Sequence, residues 1–231
     1  MSVSIKFTDT TGLVTENYFP KPARQVMPEW FIKVPAHLDN ADSWDGESLT
    51  AKRCAPLLDG FSSGYILFTV VDILVQHDES GRLTYRWPNE PGLEFQQKWQ
   101  VGEHKGITEE YAAIPKMPSP WAIETPAGYS CLFVPPLNRD DAVFEIFSGV
   151  IDTDTYNTNG SMPFKMIDPK FDGIIPAGTP MAQVIPFKRD QFEMSIGGDD
   201  ERLKSERVFN NLRSVFVNGY RKMMWTPKSY K

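Results

Sequence analysis

Phe144-Glu-Ile-Phe-Ser-Gly-Val-Ile-Asp-Thr-Asp-Thr155 is the stretch that decides the fold. Apolar residues alternate with others from Val143 to Ile151, and two carboxylates follow at Asp152 and Asp154. Alternation of period two predicts a strand, and residues i and i+2 of a strand point to one face. Asp152 and Asp154 therefore face one side, with Thr153 turned away. Asn157-Thr-Asn-Gly-Ser161 reads as a turn and Pro163-Phe-Lys-Met-Ile167 as the returning strand of a hairpin. A carboxylate at such a mouth can activate water or hold a cation. Asp also favours turns and caps, so opening a loop is the commoner role for the pair.

Working outward, the strand signal recurs. Phe61-Ser-Ser-Gly-Tyr-Ile-Leu-Phe-Thr-Val-Val-Asp-Ile-Leu-Val75 is the strongest apolar run. Its β-branched and aromatic residues favour strands after a Ser-Ser-Gly turn. His77 to Arg82 is a hairpin loop, with Leu83 to Trp87 returning. Glu94 to Trp99, Trp121 to Thr125, Ser130 to Val134 and Thr179 to Phe187 are further strands. A short helix is expected near Thr108 to Ala112, and Val3 to Phe7 reads as a strand. Pro126-Ala-Gly-Tyr129 is a turn in which Gly128 tolerates positive φ. Pro28 to Pro35 reads as a short helix with Pro28 near its first position and Trp30, Phe31 and Val34 on one face. His37 to Thr50 is a polar loop containing Asp42-Ser-Trp-Asp-Gly46, and Lys52 and Arg53 offer a basic contact, solvated charges being the commoner role. Gln183 lies among apolar residues, where a buried amide needs partners.

From Asp199 to Met224 the period changes. Leu203, Val208, Phe209, Leu212, Val215, Phe216 and Tyr220 are spaced by threes and fours, which predicts an amphipathic helix. Acids at its start and Arg221 and Lys222 near its end suit the helix dipole. Gly197-Gly198 forms a joint before it, and the helix packs on the same domain or on a partner subunit.

The 231 residues are 41% hydrophobic and 23% charged, the balance of a globular chain. A net charge of −6 argues against general nucleic-acid binding. The two cysteines, Cys54 and Cys131, have neither metal-site nor disulfide spacing and sit beside apolar residues, so they read as buried free thiols. His37, His77 and His104 are scattered, so no metal ligand set is assigned. The N-terminus lacks a signal-like apolar core and no window reaches membrane-span length, which implies a cytoplasmic protein without a membrane partner.

Four short motifs, in order, resemble those of the trimeric dUTPases and their dCTP deaminase relatives. Ser62-Ser-Gly-Tyr-Ile-Leu67 is similar to the family's first motif, Ala-Gly-Tyr-Asp-Leu. Pro126-Ala-Gly-Tyr129 is similar to the turn before its second. Gly149-Val-Ile-Asp-Thr-Asp154 is similar to its third, and Ile175-Pro-Ala-Gly-Thr-Pro-Met-Ala-Gln-Val184 to its fourth. The resemblance implies a mainly β fold, a β-clip of short strands over 61–198. An N-terminal extension at 1–60 packs on this core, and the C-terminal helix and tail occupy 199–231. It implies a homotrimer. It also implies roles: Asp152 orients and deprotonates the attacking water, Gln183 binds phosphate, and Gly149 admits close backbone approach. Asp154 joins the ligand-binding set. Tyr156 stands one residue from the place of the base-stacking aromatic, and magnesium holds the triphosphate. Departures run against these roles. Ile66 replaces an aspartate that supports the magnesium site. Pro135-Pro-Leu-Asn-Arg139 stands where serine and other phosphate donors belong, leaving Asn138 and Arg139 as shifted substitutes. The closing fifth motif shrinks to Ser195 to Gly198.

Three functions stay open. The first is a diverged dUTPase-like protein binding a nucleotide or small anionic ligand without efficient turnover. The second is a magnesium-dependent pyrophosphohydrolase acting on dUTP or dCTP, the third a structural or assembly protein of phage or bacterial kind.

Overall fold

The computed structural model describes residues 3–38, 50–88, 92–198, 200–215 and 225–231. Its strands are β1 (Lys6–Asp9), β2 (Lys21–Pro22), β3 (Tyr65–Phe68), β4 (Ile73–His77), β5 (Leu83–Arg86), β6 (Glu94–Gln96) and β7 (Ile114–Pro118). Then follow β8 (Trp121–Glu124), β9 (Tyr129–Val134), β10 (Phe144–Ile146), β11 (Gly149–Ile151), β12 (Ser161–Met166), β13 (Gly173–Ile175) and β14 (Pro180–Lys188). Helices α1 (Glu29–Lys33), α2 (Ala55–Ser62) and α3 (Glu201–Val215) complete the described elements besides 3-10 turns. The fold is mainly β, with a helix near the C-terminal end.

The described strands form four sheets, in the orders β11-β9-β14-β3-β2, β10-β12-β7-β6, β13-β4-β5 and β1-β8. Every described pairing is antiparallel. All four sheets feed one core, through Leu67, Ile73, Val75, Ile114, Ile123, Phe164, Ile175 and Val184 among others. β14 is the spine. Its nine residues pair with β3 on one side and β9 on the other, and Met181 to Val184 are buried. Chain from before residue 61 belongs to the same sheets, since β1 pairs with β8 and β2 with β3.

Gly64 is one place where the backbone requires glycine. Its φ is +73°, and a Cβ there would lie 2.0 Å from the carbonyl oxygen of Val184. The glycine in the first of the four quoted motifs thus lets β3 start against β14.

Several sequence expectations change. Phe61 and Ser62 end α2, whose Pro56 sits in the first turn; the strand run starts only at Tyr65 and breaks at Thr69–Asp72. Phe61 packs against Phe31 of α1 at 4.4 Å and Trp30 at 5.6 Å, so the two short helices share one aromatic cluster. The helix expected at Thr108 to Ala112 is a series of turns. The larger correction concerns the hairpin. β11 does not pair with β12: it pairs with β9, whereas β12 pairs with β10 and β7. The alternating run from Val143 to Ile151 is two strands in two sheets. Phe144↔Met166 and Ile146↔Phe164 face each other, and the intervening chain crosses to the other sheet and back. Local alternation fixes which side chains point inward but not which strand a three-residue segment joins.

From Asp190 to Gly198 the chain lies in the open. Phe192, Met194 and Ile196 are each 88% exposed, and residues 201–209 of α3 are exposed throughout. Residues 216–224 of the predicted helix and 39–49 of the polar loop fall outside the described residues, and of the two cysteines expected to be buried Cys131 is and Cys54 is exposed.

Candidate functional site

Three strand ends meet around Asp152. β11 ends at Ile151, opposite Cys131 of β9, which sets Asp152 beside Ser130. β14 ends at Lys188, opposite Tyr129. The next residue, Arg189, donates its backbone N–H to Gly128 O at 2.8 Å. Gly128 has a φ of +84° and forms the turn that starts β9. Arg189 is therefore delivered against the two acids by main-chain geometry.

Its guanidinium holds both. Nη1 donates to Asp154 Oδ1 at 2.8 Å and lies 3.1 Å from Asp152 Oδ1, while Nη2 bonds Asp154 Oδ2. Asp154 also accepts from Gly128 N at 2.8 Å, and its side chain is only 6% exposed. The hydrogen bonds from Arg189, then that from Gly128, hold its carboxyl well below the usual range, at about 2. Ser130, buried, donates to Asp152 Oδ1 at 2.6 Å and accepts from Arg189 Nη1 at 3.0 Å. Thr153, between the acids, is buried and shares a 2.7 Å hydrogen bond with Thr125.

Asp152 differs from Asp154 in one respect. Its Oδ2 has no partner among the described residues, and its side chain is 58% exposed. Its carbonyl accepts from the N–H groups of Thr155 and Tyr156, so the acid also opens a turn. Tyr156 is 52% exposed. Below the crossover lies a cavity of about 60 Å³ whose walls include Trp121, Phe133, Ile151, Thr153, Tyr156 and Met162. Asp152 is not in that wall. The carboxylates oppose one guanidinium, a local balance of one excess negative charge.

The other residues singled out by sequence lie elsewhere. Gln183 is opposite Val134, four residues along β9 from Ser130, about 13 Å at the rise of a strand. Its side chain is buried, with Oε1 accepting from Leu137 N at 3.0 Å. Nε2 donates to Gly60 O and Ser63 O at 2.9 and 2.6 Å. Both N–H groups are taken, so the amide offers no free donor to an anion. Arg139 is likewise engaged, by a bidentate pair with Asp141 at 2.8 and 2.6 Å and by Val26 O at 3.0 Å. Asn138 holds a φ of +57°, and its carbonyl accepts from Trp30 Nε1. Gly149 is exposed on β11, and a Cβ there would meet nothing within 4 Å.

Sequence reading singled out neither Ser130 nor Arg189. Arg189 lies 35 residues from Asp154, and the only signal is a basic residue directly after a long strand. Magnesium fits these residues poorly within one chain. The two acids converge on a guanidinium, and among the described residues no three His, Cys, Asp or Glu side chains gather.

No family model matches the chain, and no curated protein matches it. Among solved structures, a point mutant of the dUTPase of phage 80alpha is similar at a TM-score of 0.37 and 13% identity, covering 87% of this chain and 93% of that one. A point mutant of the dUTPase of phage phi11 of S. aureus is similar at 0.35 and 14%, covering 87% and 99%. Likeness at this level sets neither family nor function. Among the described residues no helix is long and apolar enough to cross a membrane.

Proposed function

We propose that this chain is a diverged dUTPase-like β protein that binds a nucleotide, or a small ligand of like chemistry, without efficient turnover. One contrast carries the reading. The residues that the motif resemblance assigns to phosphate are spent on the chain itself: Gln183 on three backbone groups, Arg139 on Asp141 and Val26. Tyr156, which it sets near the base, and Gly149, where it admits close backbone approach, are exposed, and so is Asp152, to which it gives the attacking water. The nearby cavity of about 60 Å³ is smaller than the roughly 150 Å³ that admits benzene. Ring binding therefore falls to the outer face of Tyr156, with Asp152 Oδ2 as acceptor for a ring N–H or a sugar hydroxyl. The excess negative charge around Arg189 opposes a polyphosphate.

Calorimetric titration with deoxyuridine, deoxycytidine and their triphosphates, paired with a pyrophosphate-release assay, tests this. Nucleoside and triphosphate bind within a few-fold of each other, Tyr156→Ala weakens both about tenfold or more, and no pyrophosphate appears above background. Magnesium-dependent pyrophosphate release that Asp152→Asn abolishes would establish the hydrolase instead. Absence of binding by every nucleotide would leave the assembly role.

A further inference from the structure

A second concave site lies away from Tyr156, where the C-terminal tail folds back on the body. Trp225 Nε1 and Lys228 Nζ both donate to Oδ2 of Asp59 in α2, at 2.8 and 2.6 Å. The Asp59 side chain is 17% exposed and that of Lys228 46%, so the carboxylate end of this anchor is largely out of water while the ammonium is not. Five and six residues after Trp225 the tail is held again. Tyr230 meets Tyr65 edge-to-face at 6.0 Å, and Tyr65 Oη donates to Lys231 O at 3.3 Å. Burial and the neighbouring Tyr230 both keep the Tyr65 phenol protonated by raising its pKa.

Between tail and body is a cavity of about 250 Å³. The body supplies Ile5, Tyr65 and Tyr129 to its wall, and the tail supplies Ser229 and Tyr230. Among the described residues, none in that wall carries a charge. Thr125 also lines it, but its hydroxyl already serves Thr153. The hydroxyls of Ser4 and Ser229, which line it too, have no hydrogen-bond partner among the described residues.

We propose that this cavity binds a neutral, flat heteroaromatic molecule of one or two fused rings, with the tail as one wall. The volume sets the size. A cavity of roughly 150 Å³ admits benzene, so 250 Å³ has room for a bicyclic ring. The wall sets the chemistry. Three tyrosines offer ring faces and edges for stacking, and serine hydroxyls both donate and accept. A charged ligand would be desolvated there with no counter-charge to meet it. Because Tyr230 and Ser229 belong to the strap, the ligand adds contacts that exist only when the strap is closed, and binding stabilises the closed tail. The proposal does not rest on nucleotide binding at Tyr156.

Indole, quinoline and adenine serve as probes with the full chain, followed by saturation-transfer NMR and by the thermal midpoint, with inorganic phosphate as the charged control. At least one probe binds with Kd below about 1 mM and raises the midpoint; phosphate does neither. Tyr230→Ala weakens that probe about tenfold. Ser229→Trp, which fills the cavity from an exposed tail position, abolishes binding while far-ultraviolet dichroism stays native. Asp59→Ala weakens binding by releasing the strap. The proposal is overturned if no probe binds, or if a probe binds the Ser229→Trp and Tyr230→Ala proteins as well as the wild type.

Discussion

Replacing Gln183 separates a residue that holds the protein together from one that holds a ligand. Its amide ties three chain segments: the loop after β9 through Leu137 N, the end of α2 through Gly60 O, and the start of β3 through Ser63 O. The side chain is buried, so water does not readily replace what is lost. Each buried hydrogen bond is worth about 1 kcal/mol net, and a stranded partner costs about 1–3 kcal/mol. For Gln183→Ala the three bonds and the vacated volume together come to about 4–6 kcal/mol. Gln183→Met keeps the volume and loses only the polar part, about 3 kcal/mol. Gln183→Glu keeps the acceptor for Leu137 N but sets a carboxylate oxygen against two carbonyls at 2.6 and 2.9 Å, so it is the worst of the three. Urea unfolding followed by tryptophan fluorescence measures all three without any ligand. The order Glu, Ala, Met, from most to least destabilised, is expected, with midpoints falling at nearly constant slope. Losses below about 1 kcal/mol in every variant, together with weakened nucleotide binding, would refute the structural role and return the amide to the ligand.

Three further outcomes follow from the same geometry. Gly64→Ala places a methyl 2.0 Å from Val184 O at a φ of +73°, so it destabilises by about 3–5 kcal/mol; differential scanning calorimetry reads the fall. The depressed Asp154 carboxyl contributes stability that is fully present above its unfolded value near pH 4 and is lost as pH falls through about 2. Arg189→Met flattens that acid limb, because the carboxyl then titrates much closer to its unfolded value, and pH-dependent unfolding curves of the two proteins detect the change. Tyr85 Oη is buried with no partner among the described residues, so Tyr85→Phe is neutral or stabilising by up to about 1 kcal/mol; a loss above that in urea titration would mean that the hydroxyl has a partner.

Much of the strand content is legible from residue type alone. Ser130 to Val134 and Pro180 to Phe187 alternate or run apolar because they pack one or both faces on the core. Pro28 marks α1 because proline suits a helix start. The α2 segment hides behind Pro56 and Asp59-Gly60, residues that punctuate chains elsewhere and here lie within a single eight-residue helix. Strand partnership is the less legible level. Nothing within Gly149-Val-Ile151 distinguishes β9 from β12 as its neighbour; that choice is made by residues far along the chain. The candidate site follows the same division. The i, i+2 spacing brings Asp152 and Asp154 to one guanidinium, but Arg189 reaches them only because β14 and β9 end together.

The excursion of the chain from β10 to β11 and back to β12 works as a stitch. One continuous segment is hydrogen-bonded into both large sheets, so neither can be lifted off while β11 stays in place. Slow amide exchange at Leu132 and at Phe164 should therefore be lost together, at one denaturant concentration, rather than sheet by sheet.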